Sequence, residues 1–343
     1  MSELKRFLAK RHPRERGVVI IYTAFFMLLM LGFVALGIDV SKLMATRTQL
    51  QRTADAAALA GASGINFKTG DIVPDTATAR AQTTAALNKA FENAPTSVQL
   101  LAADVTFPAA HEVRVVVRRD GTSGASMVTH MAQVLGIRAL DVTATATAKV
   151  ERAEAPCEGL VPMAPINDPS QPWFDPTCGK YYDLKVDAGS GTQGNYQLLD
   201  FPPCDEGQCQ DVGGGGAEIR CFAQYGYGCC IHIGDTYVMT QPGNKVGPFR
   251  QGMQARFDAD IDRRSNICYQ DYVGNGNRVI RVPIVESFNV PGKKLVKITG
   301  FSAFFITERP SGNGTLHGQF IYDIGPAEPG GDKGTLFTVH LIK

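Results

Sequence analysis

Cysteine is missing from the first 156 residues, tryptophan occurs once in 343, and the net charge is only +1. The near-balanced charge argues against a nucleic-acid-binding surface and against an acidic disordered tail. No C-x-x-C pair is present, and the cysteine spacings match no regular zinc knuckle. The six histidines (His12, His111, His130, His232, His317 and His340) form no H-E-x-x-H, and no G-x-S-x-G occurs, so no hydrolase motif is on offer. The run Gly213–Gly216 lacks the Lys-Ser or Lys-Thr of a phosphate loop and reads as a flexible loop tip. The expectation is a protein that is not an enzyme and takes no cofactor and no metal.

Charge is also absent from Val18–Ile38, and this absence is informative. As a helix the segment spans about 31 Å, the thickness of a bilayer core. Lys5, Arg6, Lys10, Arg11, Arg14 and Arg16 precede it, whereas Lys42, Arg47 and Arg52 follow over a comparable stretch. The positive-inside rule then keeps residues 1–17 cytoplasmic and sends everything after Asp39 outward. A cleaved signal peptide is the rival, with Ala35-Leu36-Gly37 as a small-residue site, but signal cores run shorter than this one. The expected location is the inner membrane, single-pass, with the bulk periplasmic.

The eight cysteines test that topology. Cys157, Cys178, Cys204, Cys209, Cys221, Cys229, Cys230 and Cys268 all lie beyond the apolar segment, an even number on the side expected to be oxidising. They read as disulfide partners whose pairing is open. A nucleophilic pairing of Cys229 with His232 is the alternative that spacing alone leaves standing.

The organisation after the span falls into three parts. Residues 39–73 read as a helical stalk and loop, with Leu43, Leu50, Ala54, Ala57 and Gly61 along one apolar stripe and Ala58 as a further small residue for stalk packing. Arg47, Gln51 and Asp55 stand four apart on another side. The stripe narrows to small residues, which suits close packing on a partner helix or on the chain's own downstream domain. Residues 74–150 read as a small αββαβ domain. Its helices hold Thr83, Leu87, Ala90, Phe91 and Ala94, then Met127, Val128, Met131, Val134 and Leu135, closed by Gly136. Its strands alternate at Leu101–Phe107, Val113–Val117 and Leu140–Ala148. Residues 151–156 read as a linker, and 157–343 as a disulfide-rich β domain, sandwich or jelly-roll in type, because short apolar stretches alternate with Gly, Pro and Asn. The whole is therefore α+β and all-β multidomain behind one transmembrane helix.

Asp258, Asp260 and Asp262 form a D-x-D-x-D run, but Arg263 stands where a calcium loop needs Gly. Carboxylates on a solvated strand face are the preferred reading.

Arg16-Gly17, the apolar run, Gly37-Ile38-Asp39-Val40, Leu50-Gln51 and Ala54-Asp55-Ala56-Ala57-Ala58-Leu59-Ala60-Gly61-Ala62 together resemble the N-terminal segment of TadE/TadG-like proteins of the Flp (tight adherence) pilus system. The close of the next region, Thr143–Ala148, is similar to TadG-like chains. So are Thr240–Asn244 with Gly247–Gly252, Arg281–Val285 and Ile298–Phe305. Pilins and pseudopilins of that system carry a Glu five residues past the Gly cleavage point. Here Tyr22 stands there, so the resemblance is to the unprocessed TadG type. The Asp-x-Ser-x-Ser motif of the von Willebrand-type insert in some relatives is absent. The resemblance implies a non-enzymatic pilus-assembly component, one membrane span, protein partners among pseudopilins, pilin and secretin, possible oligomers and no nucleic acid. A membrane-tethered ligand-binding or adhesion module is the competing reading.

Overall fold

The computed structural model describes residues 15–88, 98–122, 126–165, 177–184, 195–234, 238–243, 245–288, 292–312 and 314–342. The basic residues from Lys5 to Arg14, and Ala90, Phe91 and Ala94 of the expected helix face, lie outside them. The chain divides into two compact units: Met1–Ala57 with Gln82–Val105 and Val115–Ala146, and Ala58–Ala81 with Thr106–Arg114 and Thr147–Lys343.

Helix α1 runs unbroken over Glu15–Ala62, 48 residues and about 70 Å. It contains no proline, and the hydroxyl of Thr23 donates back to the carbonyls of Val19 and Ile20, so that hydroxyl is matched within the helix itself. From Val18 to Val34 its side chains are exposed on every side, Phe33 by 70%. Beyond Asp39 one face becomes buried: Leu50, Ala54, Ala57, Ala58 and Ala62 are fully covered.

In chain order, α2 (Pro74–Leu87) leads to β1 (Val105–Thr106) and β2 (Glu112–Arg119). Val113, Val115 and Val117 of β2 are buried while Arg114 faces out, as the alternation required. The stretch Leu101–Phe107 departs from the expected strand: Ala102–Asp104 is a 3-10 turn, because Asp104 is buried and paired with Arg118 at 2.6 Å. The expected second helix is also replaced. Strand β3 (Met127–Val128) pairs with β4 (Ala139–Leu140), and only Ala132–Leu135 coils, as a 3-10 turn capped by Gly136 at φ 86°. Strand β5 (Val142–Pro156) continues through the expected linker, since its buried positions pass from Val150 to Ala153 and Ala155 without a break.

The remaining strands are β6 (Tyr182–Leu184), β7 (Asn195–Asp200), β8 (Met239–Pro242), β9 (Val279–Val285), β10 (Ile298–Ile306), β11 (Leu316–Ile321), β12 (Asp323–Ile324), β13 (Ala327–Gly331) and β14 (Leu336–Ile342). One sheet has the order β1-β2-β5-β14-β12, with β13 also on β5; a second, antiparallel, has the order β6-β11-β10-β9. Strand β10 is central and buried on both faces, which its run Phe301-Ser302-Ala303-Phe304-Phe305 reflects.

Two helices interrupt the β region, α3 (Gly216–Tyr225) and α4 (Val246–Asp258). Ile219 and Ala223 of α3 and Phe249, Met253 and Phe257 of α4 join Ile280, Val282, Phe304 and Phe320 in one apolar cluster. The region is thus sheets with helices packed on them, and Gly215 of the supposed loop tip is the N-cap of α3. Mixed α/β structure, several sheets and four disulfides follow the long apolar helix.

Candidate functional site

Asp39, the first residue after the apolar run, is only 4% exposed. Its carboxylate accepts the backbone N–H groups of His130 at 3.0 Å and of Met131 and Ala132 at 2.8 Å each. These are the free donors at the start of the 3-10 turn, so Asp39 caps that turn from another element. Two further contacts follow up the helix: Lys42 Nζ to His130 Nε2 at 3.2 Å, and Thr46 Oγ1 to Met127 Sδ at 3.6 Å. One carboxylate therefore ties the helix, where it leaves its apolar run, to a loop more than 90 residues away.

The stalk residues separate into two groups. Leu50, Ala54, Ala57, Ala58 and Gly61 are buried within the protein, and Leu43, Gln51 and Asp55 are half-buried. Gln51 donates to Asp55 at 2.8 Å and to the Thr145 carbonyl at 3.1 Å. A methyl group added at Gly61 would meet Val113 Cγ1 at 3.2 Å and the Ala77 carbonyl at 3.3 Å. Of the two packings the stripe allows, the chain itself occupies the small-residue one. Gly61→Leu should then lower the stability of the isolated protein by about 1–3 kcal/mol through overpacking. Thermal unfolding of the detergent-solubilised chain checks this, with exposed Thr48→Leu as a neutral control. An unchanged midpoint for Gly61→Leu would show that the site has room to spare.

The cysteines form four bonds: Cys157–Cys230, Cys178–Cys268, Cys204–Cys229 and Cys209–Cys221. Cys229 is consumed by Cys204, so the Cys229–His232 pairing has no thiol. The described histidines do not converge: His111 faces Asp71, His232 faces Glu328, His317 holds Asp183 at 2.7 Å and His340 faces Glu151.

The D-x-D-x-D run is not on a solvated strand face. Asp258 ends α4 and is held by both Arg309 nitrogens at 2.8 and 2.7 Å, which keeps its pKa below the usual carboxylate range. Asp262, nearly buried, is gripped by Arg264 at 2.8 and 2.7 Å and by the Val273 N–H, and its pKa is depressed for that reason. Asp260, also buried, accepts from Tyr272 Oη, the Asp262 N–H at 2.8 Å and the Arg278 N–H at 3.2 Å. Their oxygens are thus turned toward protein donors.

Arg278, which sequence reasoning passed over, organises this cluster. It is fully buried. Nε donates to the Ile306 carbonyl at 2.9 Å, Nη1 to those of Asp262 at 2.8 Å and Arg264 at 2.9 Å, and Nη2 to that of Thr307 at 2.8 Å. Its guanidinium lies 4.6 Å from the Phe257 ring centroid and 4.7 Å from that of Phe305.

A cleft of about 900 Å³ opens nearby, with Tyr225, Tyr272, Asn275, Arg256, Arg281 and Asp323 on its walls. Burial, with Arg281 beside it, pulls the Arg256 pKa down to about 10. Burial raises that of Asp323. Arg281 Nε is buried without a hydrogen-bond partner. Among the described residues no three His, Cys, Asp or Glu side chains gather as metal ligands.

One apolar helix, unburied by the rest of the protein and followed by a disulfide-braced body, is the build of a single-pass membrane protein; among the described residues no other helix is long and apolar enough to cross a membrane. Residues 17–64 match the Tad family model, described as putative Flp pilus-assembly TadE/G-like. The match coincides with the TadE/TadG resemblance of the apolar run, Asp39 and the alanine-rich close of α1. No curated protein and no solved structure matches the chain.

Proposed function

We propose that this protein is a non-enzymatic component of Flp pilus assembly, held in the inner membrane by α1 with its N-terminus cytoplasmic and its cystine-bearing bulk in the periplasm. The observation that carries this reading is the Tad match over residues 17–64, which falls on one continuous helix comprising the apolar span and its exit. The charge asymmetry across the span supports the orientation, and the cystines support an oxidising compartment. The stripe from Leu50 to Gly61 is covered, so partners such as pseudopilins, pilin or secretin meet this part of α1 on its exposed side, at Arg47, Thr48 and Arg52.

Two measurements test the proposal together. Reporter fusions after Ala62 and Val150 should be active only with an export-dependent enzyme. Deleting the gene should abolish surface pili, counted by electron microscopy, while an immunoblot still finds pilin. Wild-type piliation in the deletion strain would sink the assembly role. A tethered binding module would then be the better reading, favoured by the cleft and the unmatched Arg281 Nε.

A further inference from the structure

We propose that the loop from Met127 to Arg138 lies in the headgroup layer beside the span and dips Val128, Met131 and Ile137 into the bilayer, so that the anchor is a helix with a membrane-seated collar. The inference rests on α1 crossing the membrane. Asp39 directly follows Ile38, so its α-carbon is about 1.5 Å beyond the apolar run along the helix axis. The backbone of residues 130–132 is hydrogen-bonded to that carboxylate at 2.8–3.0 Å, so this part of the loop sits at the level of the hydrocarbon edge. The Thr46–Met127 contact lies seven residues further along, about 10 Å up the axis. Headgroups occupy about 5–8 Å on each side of the core. The loop's tethers thus bracket that layer.

The exposed side chains have the chemistry of that layer. Val128 is 51% exposed, Met131 48% and Ile137 46%, three large apolar groups on one short loop. On α1 at the same height, Val40 is 42% exposed and Met44 66%. An apolar set continuous with a membrane-spanning helix has lipid as its occupant. Arg138, exposed beside Ile137, and Lys42 stand at the height of lipid phosphates, where cationic heads on long stems are favoured. The geometry also accounts for an acid at the hydrocarbon edge: three N–H donors meet the Asp39 carboxylate, and they in turn fix the loop at that depth.

The test uses the full chain with Trp173, its one tryptophan, replaced by Phe. A new tryptophan is placed by Ile137→Trp, or by Met131→Trp in a second variant, with Phe33→Trp as a probe of the span. Each protein is reconstituted in phosphatidylcholine–phosphatidylglycerol vesicles, plain or with acyl chains brominated near the carbonyl. The collar probes should emit blue-shifted and lose about half their intensity in brominated vesicles, a twofold effect. Asp39→Ala should relieve that quenching for Ile137→Trp but leave Phe33→Trp quenched by lipids brominated deeper in the chain. If both collar probes ignore brominated lipid and are quenched freely by aqueous acrylamide while Phe33→Trp is quenched by lipid, the collar is overturned and the span stands. If Phe33→Trp also escapes lipid quenching, the span reading falls and the collar with it.

Discussion

Arg278→Ala should lower the unfolding free energy by about 3–5 kcal/mol, the range found when one partner of a buried charged cluster is removed. The substitution strips donors from four carbonyls at once: Ile306, Asp262, Arg264 and Thr307. It also empties the space between Phe257 and Phe305, and it removes a buried positive charge that interacts with buried Asp260 and Asp262. Arg278→Lys should recover only part of the loss, because a single ammonium cannot reproduce the planar fork that reaches carbonyls on several segments. Denaturant unfolding of the purified chain, followed by tyrosine absorbance, measures both. A loss under 1 kcal/mol for Arg278→Ala would mean that water or a rearranged segment satisfies those carbonyls.

Reduction should have a still larger combined effect. The bond Cys178–Cys268 closes the longest loop, with a sequence separation of 90, and Cys157–Cys230 follows at 73. Loop-closure arguments give about 4–5 kcal/mol for each, and about 3 kcal/mol for the shortest, Cys209–Cys221. Against a total domain stability of about 5–15 kcal/mol, losing all four should unfold the β region at physiological temperature. Thiol labelling of protein freshly taken from the envelope should find few reactive groups, and dithiothreitol should open protease sites between Cys157 and Cys268. Eight reactive thiols in native protein, or unchanged protease resistance after full reduction, would contradict this.

What could be read in advance follows a physical divide between local and distant causes. The apolar run was legible because a bilayer demands about twenty uncharged residues in a row. The alternation of Val113, Val115 and Val117 was legible because one side of the strand is covered. Helix α4 was not, because Gly247, Pro248 and Gly252 mimic a turn, although Pro early in a helix is well tolerated. The extension of β5 past Val150 was hidden by Glu151, Arg152 and Glu154, whose charge reads as linker. Asp39 was visible as a motif residue, but its role was not, since the three N–H groups it caps are 91–93 residues away. The aspartates at 260 and 262 misled because charge suggests solvent, whereas here Arg264, Tyr272 and the backbone of Arg278 take their oxygens inside the protein. The one signal that pointed the other way was the arginine density nearby, at 263, 264 and 278.

The cystine connectivity has a consequence for how the chain is made. Among the four bonds only Cys209–Cys221 joins cysteines that are neighbours in the sequence; Cys157 must wait for Cys230, and Cys178 for Cys268. A chain oxidised strictly in order of emergence would pair Cys157 with Cys178, Cys204 with Cys209, Cys221 with Cys229 and Cys230 with Cys268, and none of these is native. Adjacent Cys229 and Cys230 take different partners, Cys204 and Cys157, so a slip of one residue would exchange them. Early bonds of that kind reach the native set only by thiol–disulfide exchange once Cys230 and Cys268 are present.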